Sequence, residues 1–385
     1  MPEIPVELLP TEDIDAGPER GTGLCLSGGG YRAMVFHTGV LWRLYEAGVL
    51  KSVDRISSVS GGSIIAGLLA LRWNQLSFDP AGSPADFVSL VVSPIRSLAS
   101  ETIDAESIIL GLALPGRVSD RVAASYERHL FGVATLQDLP DRPRFVINAT
   151  NVQSGAIWRF MKPYMRDWRV GEVRNPTVRL SHAVAASSAF PPVLSPFELR
   201  LDPGAFTPKT GQDLQRPPFT TNVILSDGGV YDNLGLETVK GFKTVLVSDA
   251  GQKILAQEHP DHDWARHSLR VLDTIDNQVR SLRKRRLIED YDRGDHNGAF
   301  WGIKTDFADY HLKDDPLDCL HRTPQPLADI ATRLEKMPRD VQDRLMNWGY
   351  AICDAALRAH VDDALQEKLG IKIVPPTVFP FAGGY

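Results

Sequence analysis

From residue 22 onward, apolar and polar residues fall into blocks whose lengths separate strands from helices. The run Leu24-Cys25-Leu26 predicts a strand over about 23–27. A helix is predicted over about 31–47, where Val35, Leu41, Leu44 and Tyr45 approximate one apolar face and Gly48 supplies a stop. Arg55-Ile56-Ser57-Ser58-Val59 predicts a second strand. The helix after it, over about 61–73, repeats Ile64, Ile65, Leu68, Leu69 and Leu71 at helical spacing. Strand, glycine turn and helix, twice in succession, predict βαβ units and an α/β fold with a mostly parallel central sheet.

Residues 74–143 interrupt this rhythm with Pro80, Pro84, Pro94, Pro115, Pro140 and Pro143 among short apolar stretches, and read as a helical insertion or cap over the sheet. Strand patterns resume at Phe145–Thr150 and Ile157–Phe160. A small-residue helix is expected over about 179–188, before Phe190-Pro191-Pro192, and a loop over 201–220. Asn222-Val223-Ile224-Leu225 and Thr244-Val245-Leu246-Val247-Ser248 complete the strands. The expected organisation is a lead-in at 1–20, an α/β unit at 21–252 containing the 74–143 insertion, and a mainly helical region at 253–385 packed on that unit.

With 385 residues, 43% of them hydrophobic, the chain buries one large core or two modest ones. A formal charge of −6 gives no electrostatic reason to bind nucleic acid. No segment reaches the roughly 18 uninterrupted apolar residues of a spanning helix. The early residues Glu3, Glu7, Glu12, Asp13 and Asp15 are the reverse of a secretory signal's basic start. Cys25, Cys319 and Cys353 are too few and too scattered for a disulfide framework or a zinc site, and Cys25 reads as a small core hydrophobe. These features predict a cytoplasmic protein.

The candidate chemistry lies where strands meet glycines. Ser58-Val59-Ser60-Gly61-Gly62 places a serine on a strand-to-helix turn with small flanking residues, the arrangement that exposes a nucleophile. Three serines compete (Ser57, Ser58 and Ser60), and only Ser60 has glycines where such a turn needs them. It also sits at a helix N-terminus, whose positive end favours a nearby oxyanion. Gly28-Gly29-Gly30, with Gly61, offers backbone N–H groups to a tetrahedral intermediate. Arg32 follows, either to hold that loop or to meet an anionic head group. The alternative for the turn is a serine N-cap with no chemistry.

A serine nucleophile needs a base. Asp227, followed by Gly228-Gly229, stands bare at a strand end and is a workable base if its site is dry. Its bland role is a turn aspartate capping its own backbone. Asp249 is a fallback carboxylate of the same kind. His37 and His182 each offer a Ser–His arrangement but read first as plain helix residues.

Two other classes of function compete with this serine hydrolase. Gly28-Gly29-Gly30-Tyr31-Arg32-Ala33 satisfies the dinucleotide pattern G-x-G-x-x-A. That pattern requires an acid ending the second strand; Asp54 precedes the strand instead, and no G-x-x-x-x-G-K-[ST] loop exists. A catalytically silent binding protein would leave nucleophile, base and oxyanion glycines together without a reason.

In order, Gly28-Gly29-Gly30-Tyr31-Arg32, Ser58-Val59-Ser60-Gly61-Gly62 and Asp227-Gly228-Gly229 resemble the three signatures of the patatin-like phospholipases, and Ala185–Pro192 resembles the small-residue and proline segment before the aspartate strand. Ser58 departs from the usual first glycine of the elbow. The resemblance implies a three-layer α/β/α fold. It also implies lipid acyl hydrolysis by a Ser60–Asp227 dyad without metal or cofactor. The expected substrate is a phospholipid or lysophospholipid, which requires an apolar trough beside the dyad and a peripheral contact with a membrane surface. Two stretches are candidates to meet lipid: Ser107–Pro115, and a helix carrying Leu272, Ile275, Val279 and Leu282 beside Arg280, Arg283, Lys284, Arg285 and Arg286. The bland alternatives are a buried core segment for the first, and for the second a solvated face whose arginines pair with Glu289 and Asp290.

Overall fold

The computed structural model describes residues 21–78, 84–103, 117–252, 254 and 256–385. Its strands are β1 (Thr22–Leu26), β2 (Arg55–Val59), β3 (Arg144–Asn151), β4 (Ala156–Phe160), β5 (Tyr164–Asp167), β6 (Gly171–Arg174), β7 (Phe197–Arg200), β8 (Asn222–Asp227), β9 (Thr244–Asp249) and β10 (Asn297–Gly302). The principal helices are α1 (Gly30–Glu46), α2 (Gly61–Arg72), α3 (Ser93–Leu98), α4 (Arg117–Tyr126) and α5 (Leu180–Ser187). They continue as α6 (Gly229–Asp232), α7 (Trp264–Asp292), α8 (Arg339–His360) and α9 (Asp363–Leu369).

Strands β10, β9, β1, β2 and β3 lie side by side and parallel. Beyond β3, strands β4, β5 and β6 continue antiparallel, and β7 and β8 form an antiparallel pair. The sheet is therefore mixed, and the expected parallel order holds for the half containing both predicted βαβ units. Apolar runs mark strands without giving their direction, and β8 is the strand for which this matters most. It pairs antiparallel with β3 at Ala149–Asn151, while β2 pairs parallel with β3 at Arg144–Asn148. Strand β4 occupies the other edge of β3. Strands β2 and β8 thus run toward each other along one edge of β3, and their carboxyl ends meet between Asn148 and Ala149.

Alternation along the strands supplies the two cores that sandwich the sheet. Leu24, Leu26, Leu246 and Trp301 face one side, packed with α1, α2, α5 and α8. Cys25, Val245, Val247 and Phe300 face the other, covered by residues 234–242 and by Leu287 and Tyr291 of α7. This is a three-layer α/β/α arrangement. Helix α1 is buried from Gly30 to Leu44 because α2 and α8 enclose it. A β-carbon added at Gly39 would stand 1.9 Å from the Met346 carbonyl oxygen of α8, so the two helices touch backbone to backbone.

In the described part of the 74–143 insertion, Phe87, Val91, Val92, Ile95 and Leu98 are buried in the main core, with Phe87 stacked on Tyr45. They act as core filling rather than as a cap. The Ser107–Pro115 stretch lies outside the described residues. In the C-terminal region, Asp354 of α8 forms a buried ion pair with Arg43 of α1 at 2.7 Å. Strand β10, from beyond residue 252, forms one edge of the same sheet.

Candidate active site

Ser60 follows the last residue of β2 and caps α2 with φ 51° and ψ −121°, a conformation that a side-chain-bearing residue rarely adopts. The glycines after it let α2 start against the loop from β1. A β-carbon at Gly61 would lie 2.1 Å from the Gly30 carbonyl oxygen, and one at Gly62 would lie 2.3 Å from that of Leu26. The rival serines are fully buried and have structural partners. Ser57 Oγ donates to the Gly235 carbonyl at 2.6 Å, and Ser58 Oγ to the Val146 carbonyl at 3.1 Å. Ser58 thus uses its departure from glycine to tie the elbow to β3.

The elbow is held from behind by side chains that the sequence did not single out. The Ser60 N–H donates to Ser187 Oγ at 2.9 Å, and Ser187 Oγ donates to the Asn148 carbonyl at 2.6 Å. Ser63 Oγ stands 2.9 Å from Ser187 Oγ and 3.0 Å from Ser58 Oγ. Ser187 belongs to the small-residue helix, but nothing in its local sequence marks it as the elbow's brace. Ser187→Ala would leave the buried Ser60 N–H without an acceptor, which costs about 1–3 kcal/mol. A lowered thermal midpoint is expected; an unchanged one would show that the elbow does not depend on this brace.

Asp227 ends β8 directly opposite Ala149 and is 2% exposed. Its Oδ1 accepts the Gly229 N–H at 2.7 Å. Oδ2 is buried without a hydrogen bond of standard geometry, and the Ser60 hydroxyl is the neighbouring side chain that favours its charged form. Burial outweighs these contacts and pushes the carboxyl up to about 7, with Asp276 of α7 adding a smaller push in the same direction. The structure therefore brings Ser60 and Asp227 together and gives the carboxyl a proton affinity suited to base work near neutral pH.

The glycine loop after β1 lies beside the elbow because β1 neighbours β2. Among the described residues, no acceptor takes the N–H of Gly29, Gly30 or Gly61. Gly28 is a correction to the expected oxyanion set: its N–H donates to the Asn233 carbonyl at 3.2 Å. Its lack of a side chain still matters, since a β-carbon there would meet Asn233 Oδ1 at 2.3 Å. The same oxygen lies 2.7 Å from a β-carbon built at Gly229, so Asn233 wedges between the glycine loop and the Asp227 turn. Arg32 is fully buried and donates to the Ala250 carbonyl through Nε and Nη2 and to the Ile330 carbonyl through Nη1. These bonds tie the first turn of α1 to the segment after β9 and to Ile330.

The other candidate bases are placed elsewhere. His37 Nε2 donates to the Ser27 carbonyl at 3.0 Å, which leaves Nδ1 to accept from Ser248 Oγ at 2.8 Å. Burial holds its pKa down at about 4, so it is a neutral, fully engaged core histidine. His182 sits toward the start of α5, against Phe197, while it is Ser187 at the other end that reaches the elbow. Asp249 ends β9, two strands from β2, where it accepts the Gly251 N–H at 2.8 Å and neighbours Arg32 and Lys304.

A profile of the patatin-like phospholipases matches residues 24–240, which takes in the glycine loop, the elbow and the Asp227 turn. No curated protein matches the chain. Among solved structures, human GIVD cytosolic phospholipase A2 in complex with methyl gamma-linolenyl fluorophosphonate and terbium chloride is similar at 14% identity and a TM-score of 0.49. That alignment covers 91% of this chain and 60% of the human one, so this chain spans about three fifths of the human protein's length. VipD from Legionella pneumophila is similar at 14% identity and a TM-score of 0.36, over 89% of this chain and 67% of that one. The profile match runs over more than half of the sequence: the chain belongs to the patatin-like phospholipase family.

Proposed function

We propose that the protein cleaves carboxylic ester bonds of phospholipids or lysophospholipids through a Ser60–Asp227 dyad and an acyl-enzyme. The observation that carries this reading is the meeting of Ser60 and Asp227 at one point on the edge of β3, beside N–H groups that have no acceptor among the described residues. Ser60 Oγ attacks the ester carbonyl carbon while Asp227 Oδ2 takes the hydroxyl proton. Negative charge gathers on the carbonyl oxygen, facing the N–H groups of Gly29, Gly30 and Gly61, where one such donor is worth about 3 kcal/mol. Collapse breaks the ester C–O bond, and the leaving alkoxide takes the proton from Asp227. Water then attacks the acyl-serine with Asp227 again as base, releasing the fatty acid and restoring Ser60. The site draws all of these groups from its own chain. This reading keeps the expectation of a cytoplasmic enzyme that meets its substrate at a membrane surface.

The test is fatty-acid release from mixed phospholipid and lysophospholipid vesicles, run beside labelling with an alkyl fluorophosphonate. Release, together with a phosphonyl adduct on the peptide bearing Ser60, is expected. An adduct on another serine would remove Ser60 from the mechanism. The absence of both release and adduct would favour a binding protein on a hydrolase scaffold.

A further inference from the structure

Helix α7 turns an apolar face to solvent. Trp264 is 85% exposed, and Leu272, Ile275 and Leu282 are each more than half exposed. With Val271 and Val279, and at about 100° per residue, they fall within an arc of roughly 100° along one side of the helix. A run of exposed apolar side chains of this kind marks an interaction surface. No helix among the described residues is long and apolar enough to cross a membrane, so this face would lie along a surface.

The helix is fixed beside the turn that carries Asp227. Arg283 reaches Asp232 and Glu237, on and just after α6, at 3.6 and 3.4 Å, and its guanidinium lies over the Tyr231 ring. Arg280 donates to the Gln252 carbonyl, just past β9. Asp276, on the inward side of α7, is close enough to raise the proton affinity of Asp227. Exposed apolar side chains also stand on the site's own loops. Val230, three residues after Asp227, is 53% exposed, and Phe190, next to the Ala189 carbonyl that accepts the Asp227 N–H, is 50% exposed.

Charge supplies the second half of the argument. The stripe ends beside the run Arg283-Lys284-Arg285-Arg286 in a chain of net charge −6. Arg283 is held by α6, Lys284 lies over the Phe300 ring, and Arg286 pairs with Asp290 at 3.1 Å. The solvated-face expectation thus accounts for part of the basic run. It does not account for the exposed apolar stripe. Arg285 and Arg286 remain exposed at its edge, where long basic side chains reach phosphate while neighbouring apolar ones enter the acyl region.

We infer that α7, with Val230 and Phe190, is the face by which the protein docks on an anionic phospholipid bilayer, bringing the Asp227 turn beside it close to the lipid. The surface rests on the lipid-hydrolase reading for its purpose, but its test does not depend on turnover. Full-length Ser60→Ala protein would be sedimented with phosphatidylcholine–phosphatidylglycerol vesicles, which it cannot hydrolyse if the proposed function holds. Binding is expected, with a blue shift of tryptophan emission that Trp264→Phe removes. Adding Leu272→Asp and Ile275→Asp, both at exposed positions, should weaken binding at least about tenfold, since each removes the transfer of a large apolar side chain.

Vesicle binding that survives both aspartates, or that is absent from the start, would overturn the inference. So would a dimer of the Ser60→Ala protein that the two aspartates convert to monomer while vesicle binding persists, because the stripe would then be a self-association surface. Vesicle binding through α7 without any fatty-acid release from the unmodified protein would leave docking standing and remove the hydrolase reading instead.

Discussion

Asp227→Asn should lower fatty-acid release by about 10²–10⁴-fold, the range of a lost general base, while leaving the protein folded. Asparagine keeps an oxygen for the Gly229 N–H, which Asp227 Oδ1 accepts at 2.7 Å, and matches the buried carboxyl in shape. It cannot take a proton from Ser60. Two pH signatures should accompany the loss. The carboxyl must be ionised to act, so kcat/KM of the unmodified enzyme should rise with pH and level off above about 7. Stability should move the other way. The folded carboxyl holds its proton up to about pH 7, whereas the unfolded one releases it near 3.8, so the native state loses stability as pH climbs between those values. The loss is on the order of a few kcal/mol. Asp227→Asn lacks that titration, so its melting temperature should gain on that of the unmodified protein between pH 5 and pH 8. A near-normal rate in the variant would move the base to another group. A parallel pH dependence of the two melting curves would mean that Asp227 is not titrating in the fold.

Gly61→Ala should both disable and destabilise the protein, because the added methyl would enter the Gly30 carbonyl at 2.1 Å. Neither partner can yield alone. Gly30 opens α1, whose buried length is locked between α2 and α8, and Gly61 opens α2 directly after the strained Ser60. Relief requires the two helix starts to separate, which moves Ser60 away from Gly29 and Gly30. Overpacking of this kind costs about 1–3 kcal/mol, and displacement of the oxyanion donors removes a further factor of at least about 10² in rate. Gly241→Ala is the natural control, since a β-carbon there has open space; its thermal midpoint and activity should stay close to those of the unmodified protein. If Gly61→Ala kept both, the contact between the two helix starts would have to be far softer than the geometry requires.

The features legible in the sequence are those written locally. Strand, glycine and helix follow one another within a few residues, so β1, α1, β2 and α2 fall close to their predicted bounds, and Ser60, Asp227 and the glycine loop can be named from neighbouring residues alone. What escaped depends on residues distant in the chain. The reversal of β8 against β3 leaves no mark in an apolar run. The brace from Ser187 to Ser60 spans 127 positions. Arg32 offers two roles to a sequence reader, and the choice is made by carbonyls at Ala250 and Ile330. Gly28 loses its expected donor role to Asn233, a residue that no spacing rule would pair with it. The exposed stripe of α7 was visible as periodicity, yet whether such a face is covered is a tertiary fact.

The head-on approach of β2 and β8 along β3 has an implication for what fixes the distance between the two groups. Each of the two reactive groups is set by its own strand's register on a common template, so their separation is fixed by the peptide repeat of Asn148 and Ala149. The long excursions that connect them, including 74–143 and 201–220, add nothing to that measurement. What they contribute is packing, since Phe87, Val91, Val92, Ile95 and Leu98 of the first and Phe206 and Leu214 of the second are buried in the main core. A one-residue slip of β2 or of β8 alone along β3 would shift Ser60 or Asp227 by one strand repeat and undo the pair. The pairing of the two groups therefore hangs on a few rungs of one strand and not on the length of chain between them.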